Sequence, residues 1–170
     1  MEKIEDLNKK SYDSQLKIYK ALRQILITKS LNDITVTDIC EECNCSRSTF
    51  YRNFDNVIDI LEIFFDYFYD RYLKKRVNEE NQLLFFLKYW TRHRDLVYLL
   101  KTQAPMVLYT VVSKYTDPSW TDFHKKLKLN LFEIIIPSWS VTKTQTPEEM
   151  EGYLKEIFTE KAIDILLNKL

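Results

Sequence analysis

The chain contains a single glycine, Gly152, so the first 151 of its 170 residues must turn, cap and pack without one. Hairpins and β-bulges draw on glycine for positive φ, and a sheet protein of this length would call on it repeatedly. An all-α fold is the economical solution, because helices need special backbone only at their ends. The four prolines, Pro105, Pro118, Pro137 and Pro147, all fall in the second half, where they can open or close helices without breaking one. With 45% of its residues hydrophobic, the chain can bury a sizeable core with no help from disulfides.

Apolar positions Leu16, Tyr19, Leu22, Ile25 and Leu26 recur at three- and four-residue steps and predict a first helix over Tyr12 to Lys29. Ser30-Leu31-Asn32-Asp33 ends it. Thr35 and Asp38 then form a capping pair for a short second helix that stops near Cys43. Asn44 sits where the chain must turn sharply, and asparagine tolerates left-handed backbone better than most residues. Ser46 is placed to cap a third helix through Asn53, which completes a helix-turn-helix, and Asn56 to cap a long fourth one with Ile58, Leu61, Phe64, Phe65, Phe68 and Tyr72 on its apolar side. Further helices are expected near 81–91, 96–102 and 106–114, then over Asp117 to Ile136, where Trp120, Phe123, Leu127, Leu131 and Ile134 make one stripe that stops at Pro137. Thr146-Pro147-Glu148-Glu149 reads as a capping box opening a last helix through Leu170, whose wide apolar cover implies a second partner surface.

The third helix carries the polar chemistry. A recognition helix enters the major groove with its N-terminal residues near base edges, while the helix before it crosses the phosphates. Arg47, Ser48 and Thr49 hold that N-terminal place next to Ser46, and Arg47 is suited to guanine O6 and N7. Tyr51, Arg52 and Asn53 are suited to phosphate, as are Thr35 and Thr37 at the start of the second helix. Phe50 and Phe54 are expected to point inward as structural residues.

Residues 34–61, ITVTDICEECNCSRSTFYRNFDNVIDIL, resemble the DNA-binding signature of the TetR family of bacterial regulators in Thr35, Ile39, Cys40, Cys43, Cys45, Ser46, Thr49, Phe50, Tyr51, Phe54 and Leu61. The resemblance implies a DNA-binding domain at 1–55 and a regulatory and dimerisation domain at 56–170. It implies a ligand-responsive repressor that binds a palindromic operator in double-stranded DNA as a homodimer, paired through the helices at 117–136 and 146–170. It also places a small-molecule inducer pocket in the aromatic second lobe, for which Phe68, Phe86, Trp90, Tyr109 and Phe123 are the candidates. Two departures stand out: Asn44 replaces the usual turn glycine, and Val57 stands where family members often carry a phosphate-reaching lysine.

Several function classes fit poorly. Neither His93 nor His124 has a serine, cysteine or paired carboxylate at catalytic spacing, so no enzyme, cofactor or metal is expected. Cys40, Cys43 and Cys45 coincide with small apolar slots of the motif and are expected to be buried. Cys45, beside a helix N-terminus, is the one whose thiol pKa would be lowered, and a thiol or metal sensor is the rival reading of the string. The longest apolar run, Leu83 to Leu87, is far short of the roughly 20 residues of a membrane span, and no secretory signal opens the chain, so a cytoplasmic location is expected. The 25 basic side chains are matched by 25 acidic ones, and residues 1–54 carry nine against eight. DNA binding must therefore come from placed contacts. The same neutrality leaves room for a coactivator or interaction protein that keeps the helix-turn-helix but acts through protein contacts.

Overall fold

The computed structural model describes residues 9–116 and 145–160, with positions 119, 121, 122, 126, 129, 130, 162 and 163. Among the described residues the regular structure is helical throughout: α1 (Lys9–Ile25), a 3-10 turn (Leu31–Asp33), α2 (Val36–Glu42), α3 (Arg47–Asn53), α4 (Val57–Arg76), α5 (Gln82–Thr91), α6 (Arg94–Gln103), α7 (Pro105–Lys114) and α8 (Pro147–Ile157). The helix expected over 117–136 lies mostly outside them, as do Phe123 and residues 164–170.

Two compact units divide the chain, Met1–Tyr67 and Phe68–Leu170, so the division falls inside α4, whereas the resemblance implies a boundary after residue 55. The reason lies in packing. Tyr19 of α1 stacks on Phe64 of α4 with ring centroids 4.1 Å apart, which makes the start of α4 a wall of the first unit. The buried face of α1 is Ile18, Tyr19, Ala21 and Leu22, a slight rotation from the stripe read in the sequence, since Leu16 and Leu26 are only half-buried. On this face α1 packs against both α2 and α3, which pack against each other. Ile39, Phe50, Phe54, Ile60 and Leu61 complete the core, each 2% exposed or less.

The helix boundaries of this unit follow local chemistry. Thr35 and Asp38 make the reciprocal capping box: the Thr35 N–H donates to Asp38 Oδ2 at 2.7 Å and the Asp38 N–H donates to Thr35 Oγ1 at 3.2 Å. Asn44 takes the turn at φ 48°, the only positive φ among the described residues outside glycine. Ser46 Oγ accepts the Thr49 N–H at 3.1 Å, and Asn56 Oδ1 accepts the Asp59 N–H at 3.1 Å.

The second unit is built on aromatic packing. Tyr69 and Tyr72 at the end of α4 meet Trp90 of α5 at 5.7 and 5.6 Å between centroids, and all three are essentially without solvent contact. Burial pushes the Tyr72 hydroxyl up to about 12, and that of Tyr69 higher still. Helix α8 lies along α5, joined by Lys88–Glu148 and Asn81–Glu151 contacts of 2.7 Å. Between α6 and α7 the chain bends by 115° at Ala104, with Pro105 opening α7. Among the described residues no single helix is long and apolar enough to cross a membrane; that bent pair reaches such a length only jointly, and Leu96, Val97, Leu100, Leu108, Val111 and Val112 are buried in the protein.

The expected continuous last helix is corrected. It stops at Ile157, because Phe158 adopts extended backbone at φ −110°, ψ 137°. Thr159 then starts a fresh turn, its Oγ1 accepting the Ala162 N–H at 3.2 Å and its carbonyl the Ile163 N–H at 3.0 Å.

Candidate nucleic-acid interface

At 100° per residue, α3 sets Arg47, Tyr51, Ser48 and Arg52 on one arc of about 140°. All four are exposed, and Phe50 on the far side is wholly buried. The helix has seven residues and spans about 10 Å, too short to persist on propensity alone. Phe50 and Phe54, together with the Ser46 cap, hold it in place.

Around its N-terminus the hydroxyls are gathered. Ser46 Oγ lies 2.8 Å from Ser48 Oγ and 2.9 Å from Thr49 Oγ1. The Arg47 guanidinium donates to Thr37 Oγ1 at 2.6 Å, which ties the exposed ends of α2 and α3 together at the surface. Both groups keep further capacity, since a guanidinium carries five donors. Tyr51 is 57% exposed. Asn53 is placed differently from its expected phosphate role: it is half-buried and its amide donates back to the Thr49 carbonyl at 2.7 Å. Of the nine expected residues, Thr35, Thr37, Ser46, Arg47, Ser48 and Thr49 cluster where α2 and α3 begin, while Tyr51 and Arg52 extend the arc along α3.

Lys29 was missed by sequence reasoning. It reaches past the 3-10 turn to Asp38 Oδ1 at 2.9 Å. This contact, then the hydrogen bonds from the Thr35 N–H and hydroxyl, hold the Asp38 carboxyl at about 2. Nine residues of separation leave no periodic signal for such a pair.

The cysteine string departs from expectation in two ways. Only Cys40 is buried; Cys43 and Cys45 are half-buried. The Cys45 thiol is pushed up to about 12, first by burial and then by its contacts with Cys43 and Cys40, where a lowered value was expected from the helix N-terminus.

Of the residues named for a ligand pocket, Phe68, Phe86 and Trp90 belong to one aromatic cluster, linked through His93 and Tyr72. Phe86 and Trp90 are core residues of the second unit, 4% and 0% exposed. Phe68 is half-buried and stacks on His93 at 4.3 Å, Tyr109 is half-buried on α7, and Phe123 lies outside the described residues. The chain matches no family model and no curated protein sequence.

Proposed function

We propose that this chain is a DNA-binding transcriptional regulator of the TetR kind, a ligand-responsive repressor that meets a palindromic operator as a homodimer. The observation that carries this reading is the two-sided α3: Arg47, Ser48, Tyr51 and Arg52 face solvent while Phe50 fixes the opposite side in the core. A rod about 10 Å long suits a major groove about 12 Å wide, with Arg47 nearest the base edges. Phosphates on either side meet Thr35, Thr37, Tyr51 and Arg52. The twofold partner docks on the C-terminal part of the chain, to which α8 offers Tyr153 and Ile157, 51% and 72% exposed. Half-site centres then lie about 34–36 Å apart, or a multiple of that distance. A small molecule bound in the second lobe alters the spacing of the two heads and so the affinity for the operator.

Exposed Glu41 and Glu42 at the end of α2 favour a second reading, in which the helix-turn-helix serves protein contacts, as in a coactivator. Selection from a random-sequence duplex pool with the purified protein separates the two. The regulator enriches a palindrome; an interaction protein enriches none, and that result would end the DNA reading.

A further inference from the structure

The turn between α2 and α3 places three sulfurs within six residues, and two of them serve neither the core nor the exposed arc of α3. Cys40 is 7% exposed and packs inward. Cys43 and Cys45 flank Asn44, whose left-handed backbone doubles the chain back so that the two side chains meet, with 2.8 Å between Sγ atoms. The backbone on both sides is pinned: the Cys43 N–H donates to the Ile39 carbonyl at 3.0 Å and the Cys45 N–H to the Cys40 carbonyl at 2.9 Å. Among the described residues no group of three histidine, cysteine or carboxylate side chains is arranged to hold a metal ion, and although the Cys45 thiol also meets Cys40, its 2.8 Å contact is with Cys43.

We propose that Cys43 and Cys45 form a redox-responsive dithiol at the turn, closed to an intramolecular disulfide by a hydroperoxide. The Cys45 thiol is held protonated by burial and by its cysteine neighbours, so the first step falls to Cys43. Its sulfur attacks the peroxide oxygen, the O–O bond breaks, the alcohol (or water, from hydrogen peroxide) departs, and Cys43 becomes a sulfenic acid. The Cys45 sulfur then displaces hydroxide from that sulfur, and the Cys45 proton leaves with it as water. Two thiols lose two electrons and two protons in all, and the peroxide takes up both. A bridge needs the sulfurs about 2.05 Å apart, so closure asks for a shift of less than about 1 Å and the second step is intramolecular. The chemistry is independent of what the exposed arc of α3 binds.

The test uses the full chain, reduced, desalted and treated with a few equivalents of hydrogen peroxide. Remaining thiols are then blocked with N-ethylmaleimide under denaturing conditions, and the digest is mapped by mass. The expected result is loss of two of the three alkylatable thiols, a Cys43–Cys45 peptide lighter by two hydrogen atoms, alkylated Cys40, and reversal by dithiothreitol. A bridge that includes Cys40, a bridge between chains, or a full set of alkylatable thiols after a peroxide-sensitive control protein has been oxidised overturns the proposal. Cys45→Ala should stall oxidation at a Cys43 sulfenic acid that dimedone traps; dimedone labelling of Cys43 equal to wild type counts against the assigned order. Should that variant fail to fold, the wild-type map decides alone.

Discussion

Arg47 and Phe50 sit three positions apart on α3 and answer to different demands, one to whatever lies outside the protein and the other to its core. Removing the Phe50 ring leaves a hole in the packing of α1, α2 and α3, and Phe→Ala at a buried site costs about 3–5 kcal/mol. Small domains hold only about 5–15 kcal/mol in total, so Phe50→Ala should lower the denaturant midpoint sharply; a shift worth less than about 1 kcal/mol would mean that α3 is held by something else. Arg47→Ala trims an exposed side chain and one surface hydrogen bond, and stability should stay within about 0.5 kcal/mol of wild type. Under the proposed reading its effect falls on DNA: a loss of about 1–3 kcal/mol in discrimination between the selected operator and a variant at one guanine. Equal weakening on all sequences would reassign Arg47 to phosphate. Asp38 makes a third residue-level prediction, with its sign fixed by linkage. Its carboxyl is lowered from 3.8 to about 2 in the folded chain, so the stability it contributes is present above about pH 4 and is lost as pH falls through about 2. Acid titration followed by helical ellipticity should show a loss in that window that Asp38→Asn lacks.

Helices in this chain are set by their ends, and that decides what the sequence reveals about them. The capping boxes at Thr35–Asp38 and Thr146–Glu149 are four-residue patterns, legible by eye and formed as read. The same holds for Ser46, Asn56 and the left-handed Asn44. What the sequence hid depends on distant partners. The Lys29–Asp38 and Lys88–Glu148 pairs join separate elements, and the buried face of α1 is set by which side chains meet α2 and α3. The break at Phe158 was illegible because apolar residues continue through it and no proline or glycine marks it. The cysteines were legible as small residues for a helix-turn-helix, but the meeting of Cys43 with Cys45 depends on the turn geometry at Asn44. Gly152 offers a test at this scale. It lies inside α8, and a Cβ built there meets nothing within 4 Å, so only backbone entropy and helix propensity respond to a change. Gly152→Ala should stabilise the protein by about 0.5–1 kcal/mol in thermal or denaturant unfolding. A destabilised variant would mean that this face of α8 is covered in solution, as the proposed dimer allows near Tyr153 and Ile157.

For the molecule as a whole the governing quantity is charge, because a chain with 25 cations and 25 anions has no long-range pull on a polyanion. Whatever grip it has on DNA must come from the few cations held on the outward arc. Arg47 and Arg52 stand there, Lys29 is engaged with Asp38, and Val57 brings no charge to the start of α4. With Arg47 assigned to a base, Arg52 on each of two heads neutralises about two phosphates, and counterion release then gives a slope of log K against log salt of about −1.8. That is shallow compared with the slope of about −10 of a heavily phosphate-bound repressor. Specificity would therefore depend on base contacts and survive moderate salt, while binding to random DNA would be weak at all salt concentrations. Fluorescence anisotropy with the selected palindrome across a potassium chloride series measures the slope directly, and Arg52→Ala should reduce its magnitude by about 1.8 if both heads contribute. A slope near zero would transfer α3 to protein recognition. A slope far steeper than about −6 would place cations outside the described residues in the interface.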